Sequence, residues 1–170
     1  MKVAKLDRDA FETMVRTYAR AVFNVAYRIV NDYEDAMDIT QTTFIKIYEK
    51  FDQYDPARDP FNWICKIATN ESLNLVKRNS RSVPLESDLR VDARSPETEC
   101  LQGEASAQLQ RALMGLGLDY RIVMILRHFQ NLSYREISAI LELPEKTVKS
   151  RLYTAREILR TSLLKQGYTP

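Results

Sequence analysis

Eleven residues near the C-terminus, KTVKSRLYTAR at 146–156, hold two lysines, two arginines, two threonines, a serine and a tyrosine. At about 100° per residue on a helix, Val148, Leu152, Ala155 and Leu159 fall within one narrow arc. Lys146, Ser150, Tyr153 and Glu157 then lie opposite, with Lys149 on one flank and Thr147 and Thr154 on the other. Cations, hydroxyls and a phenol in this arrangement suit recognition rather than bond-making. They are the groups that hold phosphates and reach base edges when a helix enters the major groove. An ordinary solvated face has a similar composition, so the neighbouring elements decide between the two.

Those elements are sharply punctuated. Ser133 and Glu136 form S-x-x-E, in which each side chain satisfies a free backbone N–H at a helix start. Leu132 and Ile137 stand where a hydrophobic staple packs. The helix that opens there should end near Glu142, because Pro144 cannot continue it but can open the next. If Glu142 must take a positive φ, a glutamate pays a steric cost that glycine does not. Two short amphipathic helices joined by a tight break read as a helix-turn-helix. Upstream, Leu101, Ala105, Leu109, Leu113 and Leu116 predict one helix, and Ile122, Val123, Leu126 and Phe129 another opening at Asp119. The last third is thus a four-helix unit.

The first half is helical too. Phe11, Met14, Val15, Tyr18, Val22, Val25 and Ile29 make one stripe from Asp7 to about Val30. NDYED at 31–35 breaks it and supplies a cap for a second helix, with Ala36, Ile39, Thr43, Ile47 and Phe51 inward. Asp52–Pro60 is turn-rich and carries two prolines. A third helix runs from Phe61 to about Arg78, with Trp63 or Ile64, Ile67, Ala68 and Leu75 on its apolar side. Residues 79–99 show no sustained period and too few apolar positions to offset their ordering entropy, which predicts a flexible linker.

The totals fit. The 170 residues are 45% hydrophobic and 28% charged, with four glycines and six prolines, as expected of a folded chain with long helices. Residues 1–80 carry twelve Lys/Arg against twelve Asp/Glu, 81–110 three against six, and 111–170 ten against five. A balanced front, an acidic middle and a basic end divide the chain into two modules and a linker. Cys65, Cys100 and the single His128 lack metal-like spacing, so no metal or other cofactor is expected. No Ser/His, Cys/His or glycine-rich phosphate constellation points to an enzyme. The N-terminus lacks the apolar core of a signal peptide and no run of about 18 apolar residues occurs, which predicts a cytoplasmic protein without membrane insertion.

LSYREISAILELPEKTVKSRLYTAREIL, at 132–159, is similar to the C-terminal DNA-reading domain of extracytoplasmic-function (ECF) sigma factors of the sigma-70 family. TVKSR at 147–151 and Ala155–Arg156 match that pattern as they stand, and LGLDYRIVMIL resembles its upstream L-P-x-x-x-R-x-V-x-x-L. Two-component regulators carry a related helix-turn-helix, so the front half decides. DYEDAMDITQTTFIKIYEKFDQYDPARDPFNWICKIATNESLNLVKR, at 32–78, resembles the other domain of the same family almost throughout. The resemblance implies an all-α protein of two small helical domains: residues 1–80 for core docking and −10 reading, a linker at 81–99, and residues 100–170 for −35 reading.

It also implies partners: core RNA polymerase through the β′ clamp coiled coil and the β flap, promoter DNA, and an anti-sigma factor. The clamp-facing positions are Asp38, Gln41 and Thr42, with Ile45 at the edge. Asp38, Gln41 and Ile45 do share a face at i, i+3, i+7 that the inward stripe leaves unused. Thr42 stands where the family often has Glu. For the −10 element the matching residues are Asn70 and, one turn on, Asn74, whose amides both donate and accept as an unpaired base edge requires. Lys66, Lys77 and Arg78 would hold the strand's backbone. For the −35 element they are Lys149, Ser150, Tyr153 and Thr154, with Arg151, Arg156 and the helix start at Thr147 on phosphates. Thr154 stands where Arg is frequent, and Glu142 and Lys146 where glycines are common. Two other readings stay open on the residues alone, a stand-alone regulator with a helical sensor domain and a decoy that captures an anti-sigma protein.

Overall fold

A computed structural model describes residues 8–51, 54, 55, 57, 59–82 and 104–165. Seven helices follow in order: α1 (Arg8–Val30), α2 (Tyr33–Glu49), α3 (Pro60–Ser82), α4 (Glu104–Met114), α5 (Leu118–Met124, continued by a π-helical turn over Ile125–Phe129), α6 (Tyr134–Leu141) and α7 (Glu145–Lys165). No strand occurs among the described residues. The expected linker falls almost wholly at 83–103, outside the described residues, as does Cys100. Its first residues are helical, because α3 runs on to Ser82 beyond its expected end near Arg78.

Helix ends follow local chemistry. Asn31 leaves α1 at φ 59°, a left-handed conformation that Asn tolerates, and its N–H donates to Tyr27 O at 2.8 Å. Asp32 then accepts from the Asp35 N–H and caps α2. Asp59 accepts from the Phe61 N–H at 2.8 Å ahead of α3, whose first residue is Pro60. The Ser133–Glu136 capping box forms in full.

Helices α1, α2 and α3 pack against one another around Val22, Phe44, Ile47, Ile64 and Ala68, with Ala26, Ala36 and Ile39 beside them. The inward sides of α1 and α2 are as their periodicity predicts, with Phe51 only half-buried. In α3 the buried residue is Ile64 and not Trp63, and Cys65, Thr69 and Ser72 are buried with it. The second core joins α4–α7 through Leu113, Ile122, Val123, Ile125, Leu126, Ile137, Val148, Leu152 and Ala155. It does not stop at the linker: Val25, Ile29 and Cys65 of the first half belong to the same buried cluster. At roughly 1.5–3 kcal/mol for each fully buried Val, Leu or Ile, this shared cluster gives both halves reason to stay in contact.

Candidate nucleic-acid interface

Burying Val148, Leu152 and Ala155 turns the opposite side of α7 outward. Lys149, Ser150 and Tyr153 are exposed, Tyr153 at 70%, and Thr147 and Thr154 are half-buried on the flank. Lys149 Nζ stands 5.5 Å from the Tyr134 ring centroid, a cation–π contact that fixes the start of the row. The arginines differ. Arg151 is committed to Asp119 at 2.8 Å, which ties α7 to α5. Arg156 is exposed and donates toward His128 Nε2 at 3.3–3.4 Å. Burial, then the charges of Arg156 and Arg127, keep the His128 pKa low, so the imidazole is a neutral acceptor that steadies Arg156. One expectation needs correction. The Thr147 N–H is not free for phosphate, because it donates to Pro144 O at 2.9 Å in the first turn of α7. Only its hydroxyl remains available.

Along α3, Lys66, Asn70, Asn74, Lys77 and Arg78 form one stripe at three- and four-residue steps. Asn70, Asn74, Lys77 and Arg78 are exposed. Lys66 is instead paired with Glu142 of the turn before α7, at 2.7 Å. Just N-terminal to it, Asn62 Nδ2 donates to Glu136 Oε1 at 2.9 Å. A cavity of about 610 Å³ opens here, with Tyr54, Asp59, Asn62 and Trp63 on one wall and Arg135 and Ile140 of α6 on the other. Trp63 is half-buried, its ring 5.3 Å from that of Tyr54, so it serves both core and cavity. Phe61 stacks on Tyr18 at 5.5 Å. Residues 52, 53, 56 and 58 of the preceding loop lie outside the described residues.

On α2, Asp38 and Gln41 are exposed, Thr42 is half-buried, and Ile45 is 58% exposed. Tyr48, missed in the sequence reading, extends this stripe at 61% exposure, its inner edge against Phe11 with ring centroids 5.3 Å apart. Position gave the clue: Tyr48 follows Ile45 by three, on the side the inward stripe leaves free.

Two buried polar residues were also missed. Arg121 is 9% exposed; its Nη1 donates to Ile29 O at 2.8 Å and its Nη2 to Met114 O and Leu116 O, each at 3.1 Å. Burial lowers the pKa of this guanidinium, and the carbonyls at the ends of α1 and α4 and in the turn after α4 offset that cost, helix C-termini being favourable places for a cation. Gln110 donates to Asn31 Oδ1 at 3.0 Å, while Arg28 lies 3.8 Å over the Phe129 ring. The sequence signal for Arg121 was its place at the R of the LGLDYRIVMIL match, whereas Gln110 showed only as a glutamine on an otherwise apolar helix face.

Residues 14–82 match the family Sigma-70 region 2, and residues 106–159 match Sigma-70, region 4. The ECF RNA polymerase sigma factor SigW of Bacillus subtilis is 30% identical over 174 residues, covering 95% of this chain and 93% of that protein. The RNA polymerase sigma-H factor of Pseudomonas aeruginosa is 31% identical over 176 residues, covering 95% and 90%. In structure, the sigma factor RpoE of Bartonella quintana, solved with the anti-sigma factor NepR, superposes with a TM-score of 0.74 at 24% identity, over 90% of this chain and 96% of that one. CnrH, solved with the cytosolic domain of CnrY, gives 0.73 at 24% identity, over 95% and 92%.

Proposed function

The chain belongs to the ECF group of the sigma-70 family of RNA polymerase sigma factors, and on that premise we propose how its residues divide the work of promoter recognition. Residues 1–80 dock on core polymerase and read the −10 strand, 81–99 connect, and 100–170 read the −35 duplex. The observation that carries this assignment is the outward row of α7, Lys149, Ser150, Tyr153 and Thr154, opposite a buried Val148, Leu152 and Ala155. Such a row enters a major groove without disturbing the core. Arg156, held by His128, contacts phosphate, and Arg151 adds to it when it can leave Asp119.

The α3 stripe takes the single strand. Asn70 and Asn74 offer amide donors and acceptors, and Lys66, Lys77 and Arg78 neutralise the backbone. The wall formed by Tyr54, Asn62 and Trp63 is the surface that would receive an extruded base, whose unstacking costs a few kcal/mol that contacts must return. Asp38, Gln41, Thr42, Ile45 and Tyr48 meet the polymerase β′ clamp coiled coil, and region 4 meets the β flap. The sigma factor RpoE of Bartonella quintana was solved with the anti-sigma factor NepR, which supports a partner of that kind here too. Among the described residues no helix is long and apolar enough to cross a membrane, and the cytoplasm is the expected compartment.

The test is reconstitution. Run-off transcription with core polymerase should start at a defined promoter only when this protein is added, while the protein alone binds that promoter weakly. Tight operator binding alone with no run-off product would favour the stand-alone regulator.

A further inference from the structure

Two arginines of α7 are held by neighbouring side chains, and the partners differ in kind. Arg151 meets the carboxylate of Asp119 at 2.8 Å, which offsets its charge locally. Arg156 meets an imidazole: its Nε donates to His128 Nε2 at 3.4 Å, and its Nη2 stands 3.3 Å from the same atom. Among the described residues Arg156 forms no ion pair, so it keeps its full charge. An arginine only donates, so Nε2 is the acceptor and the ring proton sits on Nδ1. His128 projects from the π-helical turn Ile125–Phe129, whose Ile125 and Leu126 are buried. Such turns are rare and concentrate at functional sites. Both side chains of the pair are exposed, so the contact adds little to the core.

A guanidinium has two edges that can grip an anion with paired N–H groups, Nε with Nη2 and Nη1 with Nη2. His128 occupies the first and leaves the second. We propose that His128 is a positioning residue for −35 binding: as a neutral acceptor on the Nε edge of Arg156, it presents the Nη1–Nη2 edge to a DNA phosphate. This rests on the reading of α7 as the −35 helix and of Arg156 as a phosphate contact. A carboxylate at position 128 would also hold the arginine, but it would compete with the phosphate for the same charge. An imidazole holds it without competing, and only while neutral. The groups around it favour that state. Arg156 acts on it from α7 and Arg127 from its own turn; from α1 Arg28 stands over Phe129, and α6 contributes the uncharged Tyr134 ring, which carries Arg127. Burial and the two nearer arginines keep the His128 pKa below the ordinary histidine value. The positioning is therefore complete above that pKa and is lost as pH falls through it.

The experiment uses holoenzyme reconstituted from the full-length chain and core polymerase, with a duplex carrying the −35 element of a promoter from which it initiates. His128→Ala should weaken binding about two- to ten-fold, the effect of freeing one long side chain. His128→Gln keeps an acceptor and should stay within about two-fold of the native protein. The slope of log affinity against log salt should be unchanged in His128→Ala, whose cation remains, and should shrink by about 0.9 in Arg156→Ala. With Arg156→Ala already in place, His128→Ala should cost nothing further. Between about pH 8 and 5, native affinity should fall relative to that of His128→Gln at the acid end. Equal losses in His128→Ala and His128→Gln, or a loss that persists without Arg156, would overturn the positioning role. Native affinity that rises on acidification, with His128→Gln flat, would overturn it too, because the imidazolium would then bind phosphate itself. If Arg156→Ala changes neither affinity nor slope, the reading of Arg156 is what fails, and the proposal falls with it.

Discussion

Replacing Arg121 with methionine keeps most of the side-chain volume and removes the guanidinium that gathers three carbonyls. Met114 O ends α4, Leu116 O lies in the turn between α4 and α5, and the third, Ile29 O, is in the last turn of α1. A buried carbonyl left without a donor costs about 1–3 kcal/mol, which would total about 3–9 kcal/mol for three. Part of this is offset, because the methionine removes a buried cation whose desolvation already lowers its pKa. Water reaching the turn between the helices satisfies a further share. A net loss of about 2–4 kcal/mol remains. For a unit of 60–100 residues, each kcal/mol shifts Tm by about 4–8 °C, so Tm should fall by about 10 °C or more. Urea unfolding with two probes is the assay: fluorescence of Trp63, the single tryptophan, reports the first half, and far-ultraviolet circular dichroism reports all the helices. Because Arg121 joins the two halves, the variant should also separate the transitions that these probes follow. A loss below about 1 kcal/mol with coincident transitions would refute the account, since those carbonyls would then need no cation.

Three further outcomes follow from the placed residues. Ile45→Asp should weaken core polymerase binding by about tenfold or more, yet change unfolding free energy by less than about 0.5 kcal/mol, because the side chain is outside the core; titration of labelled protein with polymerase tests both. Tyr153→Ala should remove about 1–3 kcal/mol from −35-dependent promoter binding and leave polymerase affinity unchanged; an equal loss of both would contradict the division of labour. Acid should loosen α6. Hydrogen bonds from the Ser133 hydroxyl, Asn62 and the Ser133 backbone hold the Glu136 carboxyl below the ordinary glutamate range. A depressed folded-state pKa contributes stability above the unfolded value and loses it as pH falls through the folded one. Glu136→Gln should therefore cost about 0.5–1 kcal/mol at neutral pH and flatten the stability profile between about pH 5 and 3, as thermal melts across that range would show.

What could be read in advance was what repeats locally. Steps of three and four among Val22, Val25 and Ile29, or Val148, Leu152 and Ala155, state which way a helix faces, because burial of a stripe is decided within a few turns. Ser133, Glu136 and Pro144 marked helix boundaries because capping acts on backbone groups within four residues. The outward rows on α7 and α2 followed as complements of the buried stripes. Failures came where a contact joins residues distant in sequence. Trp63 and Ile64 were indistinguishable by period, and packing against α1 and α2 chose Ile64. Arg121 lies 92 residues from Ile29, and Gln110 lies 79 from Asn31, so no periodicity could reveal either bond. The Thr147 N–H failed for a local reason: the tight turn at Pro144 consumed a donor that an open helix end would leave free.

Composition of the contact between the halves separates it from an ordinary core. Val25, Ile29 and Cys65 supply apolar burial, but around them stand Arg28, Gln110, Arg121, Asn62, Lys66, Glu136 and Glu142, each engaged across the boundary. A face that must close in one state and be wetted in another favours polar groups, which find partners in both. The small net charge of +2 fits the same division: polymerase, the −35 duplex and the −10 strand share the binding, so no single surface needs a large basic field.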